Sequence, residues 1–383
     1  MAEVSTAKTG ASQSANFASM DSLAFLQTKP QLTATLKQEF EDFRVDEELG
    51  FEFTEQGEHV SINVKKIDLS TVEVVKRLSE VSGVRRSAIG YAGMKDKRGE
   101  CTQWFSVQLP LAQTEDQQRR ILSDFENSSL QILESHRNSR KIRIGSHKSN
   151  KFAIRLRDCA GSRAEFENRL AHIKENGVPN YFGAQRFGQQ MSNMPQVQQL
   201  MESALNNEAV EGRRFKRGML FSAARSYLFN QLLSYRLQAN SWNTYISGYV
   251  LNLNGTDRCF VLGSGEDWDQ TLQQRLEQFD IHISGLLPGL IEVKDKYVSS
   301  GESADIEDAV CEQYGTLLAG LKHYGVAASR RALRFLPINF EWRWLEHDVP
   351  QGVEREQRDL ILQFSLPKGA YATSLLRELC VTT

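Results

Sequence analysis

Hydrophobic and polar positions along the chain change period several times, and the changes mark out elements. At residues 59–65, Val60, Ile62 and Val64 alternate with polar residues, which predicts a half-buried strand. A helix is expected to follow. Ser70 is placed as its N-cap and Glu73 completes a capping box, Val74, Leu78 and Val81 supply the apolar stripe, and Gly83 ends it. Residues 93–99 read GMKDKRG, a charged tip bracketed by glycines, and are expected to form a loop. Phe105, Val107 and Leu109 alternate in a further strand that Pro110 closes, and Leu360, Leu362, Phe364 and Leu366 alternate in another near the C-terminus.

Residues 137–157 combine alternation with charge. They hold eight cations and no acidic residue. Ile142 and Ile144 alternate with Lys141 and Arg143, and Phe152, Ile154 and Leu156 alternate with Arg155 and Arg157, with a turn over 145–150. The pattern predicts a β-hairpin with one apolar and one basic face, the basic face suited to a polyphosphate backbone. A solvated, solubilising face is the plain alternative. Residues 177–188, GVPNYFGAQRFG, are dense in glycine, aromatic and amide side chains and predict a special loop. Aromatics beside amides suit a flat heterocycle, the ring stacking and the amide reading an edge; a tight turn packed on the core explains them as well. Beyond about residue 206 comes a polar stretch, then the basic run 213–217, then a helix expected to be capped by Ser222 with Leu228, Leu232 and Tyr235 on one face.

Composition narrows the function. A chain of 383 residues suggests about two domains. A net charge of -2 does not by itself announce a nucleic-acid partner, so charge distribution has to carry that argument. The five cysteines are scattered without a CxxC pair, which points to a reducing cytoplasm rather than a disulfide framework. No HExxH or zinc spacing is present, so no catalytic metal is expected. No apolar run reaches the length of a membrane span, and residues 1–30 are expected to be a flexible tail.

Asp96, at the tip of the 93–99 loop between Lys95 and Lys97, is the leading candidate for chemistry. Two nearby cations favour its ionised form, and a ready carboxylate serves as nucleophile or general base. An exposed turn aspartate with solvated lysines is the bland alternative. A phosphatase using an aspartate nucleophile would want a second carboxylate and magnesium, which Lys97 and Arg98 do not supply. A non-catalytic RNA-binding protein would have no need of the intact loop.

Five segments together resemble the TruD family of tRNA pseudouridine synthases: EDFRVDEELGF at 41–51, YAGMKDKRG at 91–99, GVPNYFGAQRFG at 177–188, SAARSYLFNQ at 222–231 and LPKGAYATSLLREL at 366–379. They occur in the family's order and span nearly the whole chain after about residue 30. Arg98-Gly99 departs from the His-Ala of a better-known member, beside the loop's candidate residue. The resemblance implies an α/β (α+β) fold: a pseudouridine-synthase-like catalytic domain on a mixed, mainly antiparallel sheet, with an inserted second α/β domain. The catalytic domain would occupy residues 31–205 and 335–383 and the insertion 206–334. It further implies isomerisation of the uridine at position thirteen of tRNA, base flipping, and no metal or cofactor. Residue by residue, Asp96 matches the catalytic aspartate and Phe182 an aromatic that packs on uracil. Asn180 matches an amide of the same site, Lys37 a basic residue near the aspartate, and Phe43 an aromatic of the adjoining motif.

Overall fold

A computed structural model describes residues 17–109, 115–206, 208, 214–263, 266–292, 294–346 and 358–383. Residues 1–16, Pro110 and Arg213, named above, lie outside these. Two sheets organise the chain. The larger has ten strands, seven of them in the order Ile338–Glu346, Arg358–Pro367, His147–Ala160, Phe43–Leu49, Glu100–Gln108, His59–Ile67, Leu130–Asn138. Thr33–Leu36 joins His147–Ala160 and the C-terminal Val381–Thr382, and Gly90–Tyr91 joins Glu100–Gln108. Pairing is antiparallel except between Phe43–Leu49 and Glu100–Gln108 and between Thr33–Leu36 and Val381–Thr382. The smaller sheet is antiparallel, in the order Cys259–Val261, Val250–Leu253, Ile281–Leu287, Ser329–Ala332. The fold is therefore the mixed, mainly antiparallel α/β class expected.

Local expectations translate directly at several points. His59–Ile67 buries Val60, Ile62 and Val64 against Val74, Val75 and Leu78 of the helix Thr71–Ser82. The Ser70 hydroxyl accepts from Glu73 N while the Glu73 carboxylate accepts from Ser70 N, and Gly83 ends the helix at φ +69. Leu360, Leu362, Phe364 and Leu366 are buried along Arg358–Pro367, opposite Leu156, Ile154, Phe152 and Asn150.

Other expectations are corrected. The basic hairpin over 137–157 does not form. Leu130–Asn138 is an edge strand beside His59–Ile67, whereas His147–Ala160 lies inside the sheet between Arg358–Pro367 and Phe43–Leu49. Residues 139–146 cross between them as irregular backbone, with Ile142 buried against Ala92 and Trp104 but Ile144 78% exposed. Both backbone edges of the long strand are already paired, so its ladder is unavailable to a local return. Ser222 is not a cap: the helix Arg214–Gln238 begins eight residues earlier, because Leu220, Ala223 and Ala224 extend its buried face through that point. Leu228 and Leu232 are buried on it, while Tyr235 is 45% exposed. Residues 17–30 are no flexible tail. Leu23 is buried, Ala24 N donates to Ser234 Oγ, Leu26 N donates to Glu378, and Phe17 meets Tyr227 edge-on at 5.2 Å.

One core joins Phe187, Val197 and Met201 to Leu228, Ile283 and Leu321, which lie on the far side of residue 206. The helix Met194–Leu205 packs on Gly315–His323, where a Cβ at Gly320 would run into Met201. Packing thus ties the segment just before residue 206 to the smaller sheet's side of the molecule.

Candidate active site

Asp96 is placed by buried polar anchors on either side of it. Lys95 N donates to Thr71 Oγ1 at 3.0 Å, Thr71 Oγ1 donates to Gln103 Oε1 at 3.0 Å, and Gln103 Nε2 donates to Gly93 O at 2.6 Å. The Lys95 ammonium pairs with the fully buried Glu47 side chain, whose other oxygen accepts from Trp104 N at 3.1 Å. Lys66, fully buried, donates to Asp96 O and Leu69 O, each at 2.6 Å. These bonds replace the hydration the buried groups gave up. With Lys95 held inward, the Asp96 carboxylate is turned outward and its side chain is 26% exposed.

The carboxylate is held from both sides. Lys37 Nζ donates to Asp96 Oδ2 at 2.8 Å and Gln185 Nε2 to Oδ1 at 3.1 Å. Lys37 follows the strand Thr33–Leu36 with φ +59, a left-handed conformation that turns its side chain toward the site. The turn Phe40–Asp42 behind it is closed by a capping box between Glu39 and Asp42. Asp42, 1% exposed, also accepts from Arg157 Nε at 2.8 Å. Lys37 Nζ lies 3.9 Å from the centroid of the buried Phe43 ring. Gly99 lets the end of the Asp96 loop lie close against Phe43, since a Cβ there would stand 2.7 Å from Phe43 O.

Burial pushes the Asp96 carboxyl up, but the Lys37 charge and hydrogen bond, the Gln185 hydrogen bond and Lys66 outweigh it and hold the pKa below the usual carboxylate value. Asp96 is ionised at neutral pH. The cations responsible differ from the sequence neighbours first considered: Lys95 is spent on Glu47, and Lys97 lies 3.5 Å from Glu73.

The 177–188 segment supplies Gln185, and it carries Phe182 and Asn180 alongside. Phe182 is 7% exposed. Its ring meets Phe229 edge-on at 5.6 Å, lies 6.2 Å from Tyr371, and carries the Arg331 guanidinium 4.1 Å over its centroid. Asn230 holds the Phe182 backbone at both N and O. Asn180 does not reach Asp96. Its Oδ1 accepts from Arg331 Nη2 at 2.5 Å and its Nδ2 donates to Ala332 O at 2.9 Å. It lines a cleft of about 1260 Å³ between the two sheets, with Lys148 and Lys368 on one wall and Lys296 and Arg331 on the other. The Asp96 loop abuts this cleft, since a Cβ on Gly93 would sit 3.5 Å from the lining residue His147.

The four cations expected to share one outward face do not. Arg155 pairs with Asp359 at 2.6 Å and Arg157 with Asp42 at 2.8 Å, both carboxylates buried. Lys141 donates to Ser87 O, and Arg143 projects, exposed, from the 139–146 crossing. Lys66, Thr71, Gln103, Glu47 and Gln185 were missed from sequence. Lys66 had a signal, because it continues the apolar face of Val60, Ile62 and Val64. A lysine in that register must be neutralised or bonded inside the protein.

Among the described residues, no group of three or more His, Cys, Asp or Glu is placed to hold a metal ion, and no helix is long and apolar enough to cross a membrane. The family model for tRNA pseudouridine synthase D (TruD) matches residues 19–212 and 197–379. A tRNA pseudouridine synthase D of Nitrosococcus oceani is 38% identical over 94% of each chain. That of Hydrogenovibrio crunogenus is 34% identical over 94% of this chain and 96% of its own. A Methanosarcina mazei crystal structure assigned to TruD superposes with a TM-score of 0.68 at 21% identity, covering 93% of this chain and 95% of its own, and so shares the fold. Matched by the family model and by these relatives over nearly its whole length, the chain belongs to the TruD family of tRNA pseudouridine synthases.

Proposed function

We propose that this protein isomerises the uridine at position thirteen of tRNA to pseudouridine, with Asp96 as the residue that acts on the nucleotide. The observation that carries the assignment is the ionised Asp96 carboxylate, clamped by Lys37 and Gln185 at the meeting of two loops beside a cleft. The reaction breaks the bond from C1′ to uracil N1, turns the detached base and joins C1′ to C5, with the C5 proton released and N1 protonated. An ionised Asp96 suits each way a carboxylate can start this: attack at C1′, removal of the 2′ proton, or addition to the base.

Lys37 keeps the carboxylate charged and aimed. The target uridine leaves its stack, at a cost of a few kcal/mol, and its uracil is received between Asp96 and the Phe182 ring, which offsets part of that cost. The walls of this space retain the detached base until it rejoins the sugar. The cleft between the two sheets receives the tRNA, and its lysines Lys148, Lys296 and Lys368 contact phosphates. In this reading residues 206–334 are the family's inserted domain, the reaction needs neither metal nor cofactor, and the enzyme works in the cytoplasm.

The test is to incubate purified, chelator-treated protein with unmodified tRNA and map pseudouridine at single-nucleotide resolution. Modification at position thirteen is expected. Asp96→Asn keeps the shape and loses the charge, so it should retain tRNA binding and lose turnover even with excess enzyme and long incubation. Pseudouridine at another position, or near-normal turnover by the Asn variant, refutes the assignment.

A further inference from the structure

Arg331 belongs to the smaller sheet by backbone and to the candidate uracil site by side chain. Its strand, Ser329–Ala332, pairs with Ile281–Leu287, and Arg331 stands opposite Gly285. Its side chain leaves that sheet. Nε donates to Asn180 O at 3.2 Å, and Nη2 donates to Asn180 Oδ1 at 2.5 Å and to Gly369 O at 2.8 Å. The guanidinium plane rests on Phe182, 4.1 Å from the ring centroid. Gly369, at φ +85, leaves room for it: a Cβ there would come within 3.4 Å of Nη1.

One guanidinium therefore touches both residues assigned to the uracil. Its effect on Asn180 is chemical as well as mechanical. Arg331 donates, so the Asn180 atom facing it must be the oxygen. Ala332 O accepts, so the atom facing that must be the nitrogen. The amide flip is fixed by two consecutive residues of one strand. Each amide atom keeps spare capacity, one lone pair on Oδ1 and one N–H on Nδ2. An acceptor beside a donor is the complement of a uracil edge, where the N3–H donor adjoins a carbonyl oxygen. Burial lowers the Arg331 pKa, but only to about 10, so it stays a cation at neutral pH and keeps its hold on the aromatic face.

We propose that Arg331 is a positioning residue for the uracil site, fixing the Asn180 amide and the Phe182 ring together, so that the smaller sheet takes part in turnover as well as in RNA binding. The proposal rests on the assignment of Phe182 and Asn180 to the uracil given above. A lysine cannot replace it, because a single ammonium cannot lie flat on the ring while bridging Asn180 and Gly369.

The experiment compares Arg331→Lys, Arg331→Gln, Asn180→Ala and the Asn180→Ala/Arg331→Gln double variant. Single-turnover rates and tRNA Kd are measured well below each melting temperature and normalised to the folded fraction. Both Arg331 variants should lose about ten-fold or more in rate, the span of roughly 1.4 kcal/mol, with tRNA Kd little changed. The double variant should be no slower than its slower parent, because both act through one contact. Rates that fall only in step with folded fraction, defects that multiply in the double variant, or a loss confined to tRNA affinity each overturn the proposal. Asp96→Asn run alongside separates the two hypotheses: an active Asn variant defeats the assignment of the site, whereas an inactive one with normal Arg331→Gln turnover defeats the role of Arg331 alone.

Discussion

Lys37→Met tests the electrostatic core of the site. The substitution keeps an unbranched chain over Phe43 and removes the charge that lies 2.8 Å from Asp96 Oδ2. At an effective dielectric of about 20, two unit charges at that distance attract by about 6 kcal/mol. The side chains are 19% and 26% exposed, so screening and the desolvation of both groups cancel much of this. About 1.5–3 kcal/mol is left to be expressed in the reaction, which is roughly ten- to hundred-fold in rate. The pH profile gives the sharper test. In the native protein the Asp96 pKa lies below the ordinary carboxylate value, so the carboxylate stays ionised, and the stability it contributes persists, until pH falls through that lowered pKa. Without Lys37, burial acts against a weaker opposition and the pKa rises. The acid limb of single-turnover pseudouridine formation should therefore move to higher pH in Lys37→Met, with tRNA affinity little changed. Lys37→Gly supplies a control, since Lys37 sits at φ +59: it should be as slow as Lys37→Ala yet about 1 kcal/mol more stable, having no Cβ to strain. A Lys37→Met profile that superimposes on wild type, with a rate within two-fold, would refute the electrostatic account.

Arg157→Gln should lower stability by about 3 kcal/mol, because it strands the buried Asp42 carboxylate, and should slow turnover by loosening the turn behind Lys37; urea melts and rates check both. Arg143→Gln should leave the melt unchanged and flatten the salt dependence of tRNA binding by about one unit, and an unchanged slope would remove Arg143 from the RNA contacts. Phe182→Ala opens a hole beside Phe229 and should cost about 3–5 kcal/mol of stability on top of its effect on the reaction. Phe182→Leu is therefore the cleaner variant. It should fold nearly normally and still lose about ten-fold in rate, as read by single-turnover assay on matched folded fractions, if the ring stacks on uracil.

What could be read from sequence follows how local each feature is. The capping box at Ser70 and Glu73, the alternation of 59–65 and that of 360–366 are set by neighbours within a few residues, and they stand in the fold as expected. The start of Arg214–Gln238 was misplaced because Ser222 is a good cap in isolation. Here its hydroxyl accepts from Arg186, 36 residues away, in mid-helix. The same distinction divides the site. Asp96 and the two motif loops were legible. Of the partners that set its charge, Lys37 was named only through the family resemblance and Gln185 was not named, because they lie 59 and 89 residues from it in sequence and local spacing pointed to the adjacent Lys95 and Lys97 instead.

The basic stretch shows why a count of cations does not identify a nucleic-acid surface. Arg143, Arg155 and Arg157 look equivalent in a segment without acids, since charge balance was judged inside a 21-residue window. Tertiary pairing ignores that window. Arg157 finds Asp42, 115 residues away, and Arg155 finds Asp359, 204 residues away, each carboxylate almost wholly buried. Removing the arginine would leave a buried anion, so these two cations are committed to the fold before any RNA arrives. The cations on the cleft walls came from separate regions that no local window joins: Lys148, Lys296, Arg331 and Lys368. The cleft's cations are thus brought together by the sheets, and the useful test for each is what already holds it: a buried carboxylate, or bonds such as those of Arg331 to Asn180 and Gly369, mark a structural role, and an open flank on the cleft leaves the charge available to an anion.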